Sequence, residues 1–331
     1  MAKVNTAQTT LTIQTTWDGL DDPTSGGSST GSYTDSAQIL SFVNRRNYHQ
    51  GKKYFLDSVT VTSGEGSDAL TSNAQIRLST FPDTWVTANA HTKAFALWRN
   101  MRKSVLHDNP SVEGKWAQFK VFMDEAHYNG NENQYGPLLN LLPSDLPGNQ
   151  ILKGEWEMSE LVMPEHDVDP DTGLVLTADQ FHLHMLGDDV KSGTNYSSGA
   201  IIKMYQDTRA QVITAPTVPA DMSTSWGTQL TDDGAQDPQL ADIIEDDSDN
   251  PPYDLDAYVG GENNFRYTVL AGMSHLNPYN PQMVIPGFCT PLGLIKIDVR
   301  VATADAEKAV YLQLNFTKGF DKGVATLPMR Q

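Results

Sequence analysis

A single cysteine, Cys289, stands in this chain of 331 residues. That excludes an intrachain disulfide and any zinc site built on several thiolates. No run approaches the roughly 20 apolar residues that a membrane-crossing helix needs, so no transmembrane segment is expected. Basic residues are scarce: 23 Lys and Arg stand against 41 Asp and Glu, a net charge of −18 that makes most of the surface repel polyanions. Residues 1–18 carry one Lys, many Thr and no continuous apolar core, and do not read as a secretory signal. A nucleophile elbow, a phosphate loop, a dinucleotide fingerprint and a zinc-protease helix are also missing. Their absence is informative, although enzymes without short motifs exist, and no cofactor is expected beyond the calcium considered below.

What the chain has in quantity is turn chemistry and alternation. Gly, Pro, Thr, Ser, Asn and Asp are common, as many short strands joined by turns require. Near the end, Ile295, Ile297, Val299 and Val301 alternate with charges, and Val310, Leu312, Leu314 and Phe316 alternate with Tyr311, Gln313, Asn315 and Thr317. Both runs have the period of half-buried strands, and they are expected to pair antiparallel with Ile297, Val299, Leu312 and Leu314 buried. Such a pair needs an opposing sheet.

Further strands are expected at residues 11–15, 37–43, 54–62, 74–80, 115–123, 151–162, 180–186, 200–212 and 265–271, about ten with the terminal pair. One stretch breaks the pattern. From residue 90 to 106, Ala94, Leu97, Trp98, Met101 and Val105 recur at helical spacing, with Asn89 as a plausible cap and Arg99 and Lys103 on the other face. Parallel βαβ units need a helix at each crossover, so the fold class expected is all-β: an antiparallel single jelly roll, or β-sandwich, with long loop insertions and one amphipathic helix. Residues 1–35, rich in Thr, Ser and Gly, form a flexible N-terminal arm, and residues 36–331 form a single domain. An acidic loop insertion at about 213–264 interrupts it; between Asp221 and Glu262 it holds a dozen carboxylates and no Lys or Arg. It is either a solvated loop or one ordered by a cation or by neighbouring subunits.

The candidate sites are few. His182 and His184 share a strand face, but no third metal ligand accompanies them, so they read as surface or interface histidines. Asp167, Asp169 and Asp171 stand at alternate positions before Gly173 and would suit calcium, although Thr172 and Ala178 occupy the places where an EF-hand has Gly and Glu. A plain acidic turn explains the same residues. Glu155, Glu157 and Glu160 flank Trp156 on an expected strand; a glycosidase needs two carboxylates across a cleft, and plain solvated strand charges explain the same residues. An early basic cluster, Arg45, Arg46, Lys52 and Lys53, is joined by Arg99, Arg102 and Lys103. These cations either line an inner surface facing nucleic acid or are ordinary surface charges.

One local pattern resembles a known family. The run Ala241-Asp242-Ile243-Ile244-Glu245-Asp246-Asp247-Ser248-Asp249-Asn250-Pro251-Pro252-Tyr253-Asp254, continuing to Tyr258-Val259-Gly260-Gly261, is similar to capsid proteins of small circular single-stranded DNA viruses that encode a replication initiator. The resemblance implies a single jelly roll, icosahedral self-assembly around a genome, residence in the virion and no enzymatic activity. It also implies an Arg- and Lys-rich arm, yet here Lys3 is the only basic residue before Arg45. The other readings are a secreted or cell-surface β-sandwich that binds carbohydrate through Trp17, Trp156 and Trp226, and a glycan-active enzyme using Glu155 and Glu157.

Overall fold

A computed structural model describes residues 7–16, 32–65, 69–114, 117–131, 140–141, 156–163, 179–192, 195–210, 258–261, 268–301 and 309–329. The chain opens with β1 (Thr10–Thr16), β2 (Ser32–Asp35), helix α1 (Ser36–Asn44), β3 (Lys52–Ser63) and β4 (Ala74–Thr80). Helix α2 (Trp85–Asp108), β5 (Phe122–Asp124), α3 (Glu125–Asn131) and β6 (Asn140–Leu141) follow. Then β7 (Glu160–Met163), β8 (Asp179–Leu186), β9 (Val190–Ser192) and β10 (Asn195–Ala200) lead into α4 (Ile201–Ala210). The last run is β11 (Val269–Leu276), β12 (Gln282–Thr290), β13 (Leu294–Val301), β14 (Ala309–Phe316), β15 (Lys318–Asp321) and β16 (Thr326–Pro328). Contacts divide the chain into two compact units, one of Met1–Phe81, Asn129–Trp156 and Thr268–Met329, the other of Pro82–Tyr128, Glu157–Tyr267 and the last two residues.

The first unit holds two antiparallel sheets. One has the order β12-β3-β14-β1-β6, with β16 also on β3, and the other the order β11-β4-β13-β2. Alternate residues of each strand meet in one core: Leu11, Ile13, Val59, Val61, Leu312 and Leu314 come from the first sheet, Ile76, Leu78, Ile295 and Ile297 from the second. The period-two reading of β3, β4, β13 and β14 therefore holds, and the strand expected at 11–15 is β1.

The expected partnership does not hold. β13 lies between β4 and β2, while β14 lies between β3 and β1, so the two terminal strands belong to different sheets and share only the core. A tight hairpin uses two to five loop residues, whereas residues 302–308 supply enough chain to cross the roughly 10 Å between packed sheets. Ile297, Leu312 and Leu314 are buried, and Val299 is only partly so.

Two expected strands are helices, so the chain has more than one. Residues 37–43 lie in α1, because the Asp35 carboxylate accepts hydrogen bonds from the Ala37 and Gln38 amides at 2.8 and 3.3 Å and caps the first turn. A short apolar run such as Ala37-Gln38-Ile39-Leu40 fits either period, and the cap decides. Residues 201–210 form α4, whose buried Ile201, Ile202, Met204, Tyr205 and Gln206 follow helical rather than alternating spacing.

The second unit is mixed. β8 runs parallel to β5 and β10 and antiparallel to β7, with β9 on β10. The strand expected at 180–186 is β8; those expected at 115–123, 151–162 and 265–271 shrink to β5, β7 and the start of β11 where they are described. Helix α2 begins earlier than its apolar spacing suggests, capped by Thr84 rather than Asn89, and buries Val86, Ala90, His91 and Ala94. Its later half is less covered, and Val105 is exposed. Trp85 meets Tyr205 of α4 edge-on at 6.3 Å. Among the described residues no helix is long and apolar enough to cross a membrane.

Candidate functional site

The early basic cluster occupies a rigid corner of the first unit. Helix α1 ends at Arg45, whose φ of 50° puts it in the left-handed region that terminates helices. Its guanidinium lies 4.8 Å from the Phe42 ring. Beyond it the chain is held by buried polar groups. Ser41 Oγ accepts the Tyr48 amide at 2.9 Å, Gln50 Nε2 donates to the second oxygen of the capping Asp35 at 3.0 Å, and Tyr54 donates to the His49 carbonyl at 2.7 Å. Burial pushes the Tyr48 and Tyr54 hydroxyls above the ordinary tyrosine value, and Asp35 and Asp321 raise Tyr54 further, so both stay protonated donors.

A hairpin from the far end of the chain closes this corner. Lys322 and Gly323 have φ of 52° and 105°, the two left-handed residues of a type I′ turn, with Asp321 bridged to Val324. The Lys322 carbonyl accepts from Arg46 Nη1 at 2.7 Å and from the Tyr48 hydroxyl at 2.9 Å. The Lys322 ammonium donates to the Asn47 carbonyl and stands 5.6 Å from the Tyr48 ring. Lys52 pairs with Asp321 at 2.6 Å. Burial pushes the Asp321 carboxyl up, but hydrogen bonds from Lys52 and Thr326 and the charges of Lys52 and Lys322 outweigh it and leave Asp321 below its ordinary value. Burial also lowers Lys322, against the pull of Asp321.

The cations named from sequence fall in three situations. Arg45 is exposed, Arg46 and Lys52 are half-buried and engaged with the hairpin, and Lys53 is buried at 6% exposure. A side chain as covered as Lys53 offers no surface to a phosphate. Arg99 and Lys103 are exposed on α2, and Arg102 lies 5.5 Å from the Trp98 ring. These three belong to the second unit. Sequence reasoning missed Lys318, Phe320 and Lys322 of the hairpin. The alternation Lys318-Gly319-Phe320-Asp321 before Lys322-Gly323 carried a strand-and-turn signal, but nothing local joined it to Arg46.

The second unit contains a buried polar clasp. His184 Nδ1 lies 2.7 Å from Ser198 Oγ, and Nε2 lies 2.9 Å from the Asp188 carbonyl. A carbonyl only accepts, so Nε2 carries the proton and Nδ1 takes the serine hydrogen. Burial lowers the His184 pKa to about 4, against smaller opposing pulls from the Asp188 carbonyl and the Asp124 and Asp188 charges. Asp189 accepts the Ala200 amide at 2.7 Å where α4 begins, and Lys203 pairs with Asp188. Although a Ser–His pair resembles a nucleophile and its base, both side chains are fully buried, and the arrangement ties β8, β10 and α4 together. His184 is thus not the surface histidine expected. Its neighbour His182 is part-exposed, with Nε2 3.3 Å from Glu160.

The remaining candidates divide simply. Asp167, Asp169, Asp171, Glu155, Trp17 and Trp226 lie outside the described residues, as does most of the acidic insertion. Glu157 is exposed, and Trp156 is packed against the core. Among the described residues no group of three His, Cys, Asp or Glu is placed to hold a metal. No protein-family model, curated protein or solved structure matches this chain.

Proposed function

We propose that this chain is the coat subunit of a small icosahedral virus, most like those with circular single-stranded DNA, and that its function is to associate with copies of itself into a closed shell. The observation that carries the reading is the way the strands interleave. β1, β3, β12 and β14 lie in one sheet and β2, β4, β11 and β13 in the other, in the orders β12-β3-β14-β1 and β11-β4-β13-β2. Followed along the chain, successive strands change sheet at every step except from β4 to β11. That alternation is what a single jelly roll, two interlocked Greek keys, would give, and it supports the reading; β6 and β16 add to the first sheet. The β4–β11 connection carries most of the second unit together with Asn129–Trp156 of the first. The acidic run at 241–261 supports the same reading from sequence.

Symmetric assembly repeats one modest interface around several axes, so contacts that are weak singly hold a particle together. The experiment is size-exclusion chromatography with light scattering, followed by electron microscopy of the peak. Closed shells of megadalton mass are expected. A species that stays at the 36.4 kDa of one chain at every concentration and salt condition overturns the reading.

A further inference from the structure

The β15 hairpin presents an aromatic residue to solvent. Along Lys318–Asp321 exposure alternates, so Lys318 and Phe320 share the outer face while Asp321 turns inward to Lys52 and Thr326. Phe320 is 109% exposed. The hairpin beneath it is not loose: the I′ turn is pinned through the Lys322 carbonyl to Arg46 and Tyr48, and Gly319 donates its amide to the Gly323 carbonyl at 3.2 Å. A Cβ at Gly319 would fall 2.4 Å from the Ala325 backbone, so glycine is what lets the returning strand close in. A rigidly held, fully exposed phenylalanine adds nothing to the core and loses little freedom when a partner covers it. The same hairpin carries Lys318 and Lys322, and the corner that pins it adds Arg46 and Lys52, against the carboxylates of Asp321 and of Asp57, which accepts from Thr317.

We propose that this cationic, aromatic hairpin docks onto the acidic segment at residues 232–256 of a second copy of the chain. Charge complementarity favours this occupant: in a chain of net charge −18 the hairpin with Arg46 and Lys52 is a local excess of positive charge. The segment carries ten carboxylates and no cation: Asp232, Asp233, Asp237, Asp242, Glu245, Asp246, Asp247, Asp249, Asp254 and Asp256. In sequence it also holds Pro251, Pro252 and Tyr253, apolar residues of the kind that Phe320 would meet. Each copy bears one hairpin and one segment, so the contact is head-to-tail and repeats from copy to copy until a ring closes. It also offsets the repulsion that many acidic chains brought together would otherwise suffer. The inference rests on the reading that copies associate.

The test uses a fluorescent peptide of residues 239–258 and fluorescence anisotropy, with the full chain and with a chain shortened by residues 232–256 so that its own segment cannot compete. Binding is expected to both, tighter to the shortened chain, and to weaken as salt rises. Phe320→Ala and the pair Lys318→Gln with Lys322→Asn are expected to weaken it by roughly tenfold or more. Asn tolerates the left-handed turn position, so the second variant keeps the hairpin while removing charge. Particle formation by the same variants is followed by electron microscopy and is expected to fall with peptide binding. Peptide that binds neither chain while wild-type shells form overturns the docking and leaves the coat reading standing. Peptide binding without shells overturns the coat reading alone. Loss of peptide binding with unchanged shells overturns docking between copies, and an oligothymidylate that binds where the peptide does not gives the hairpin to nucleic acid and overturns the proposal.

Discussion

Leu312 stands opposite Val61 across the β14–β3 ladder, and both side chains are fully buried in the core between the sheets. On its other side Leu312 faces Ile13 of β1. Truncating a side chain held among such neighbours loses transfer free energy and leaves a cavity that strands on either side cannot collapse into. Leu312→Ala is therefore expected to cost about 2–5 kcal/mol, read as a lower denaturant midpoint. A variant as stable as wild type would contradict the register given for β14.

Acid is expected to loosen the second unit. Burial lowers the pKa of His184 and of His91 to about 4, from an ordinary value of 6.5. Each is neutral in the folded chain, whereas the unfolded chain binds a proton below about pH 6.5. The stability tied to these groups is thus fully present above the unfolded value and is lost as pH falls from about 6.5 towards 4, with a slope of roughly 1.4 kcal/mol per pH unit for each. Asp189, pushed up by burial, acts in the opposite sense and trims the slope at the acid end. Unfolding curves between pH 7 and 4 are expected to show this fall, and His91→Phe should flatten it. A flat pH profile would rule out burial of the two neutral rings.

Ser198→Ala removes the hydroxyl that satisfies His184 Nδ1. A buried acceptor without its donor costs about 1–3 kcal/mol, so this small substitution should destabilise far more than a surface Ser→Ala change. Chemical denaturation followed in the second unit, through fluorescence of Trp85 and Trp98, is the measurement. An unchanged midpoint would mean that the clasp does not hold the strands.

At Lys322 the backbone rather than the side chain sets the tolerance. With φ of 52°, the position accepts Asn at little cost, but Val would add roughly 1–2 kcal/mol of strain. The Lys322 carbonyl still receives Arg46 and Tyr48 in both variants, so the difference isolates the turn. Lys322→Asn should melt close to wild type and Lys322→Val several degrees lower. Equal melting temperatures would argue against the I′ turn.

The sequence by itself determined the strands that lie with one face in the core and one in water. β3, β4, β13 and β14 are readable because their side chains alternate in a two-residue period. It did not determine which strands pair, because an alternating face specifies only that something apolar must cover it. The choice of β3 and β1 for β14, and of β4 and β2 for β13, was made by chain crossings between sheets. Nor did it separate α1 and α4 from strands, since short apolar runs satisfy both periods and the decision fell to hydrogen bonds that the Asp35 and Asp189 carboxylates accept from backbone amides. Arg45, Arg46 and Lys52 were visible as charges, but their setting was not. Lys322 lies 276 positions after Arg46, and only the folded chain brings its carbonyl and the exposed Phe320 to that corner, because a hydrogen bond between such distant residues leaves no local pattern in either.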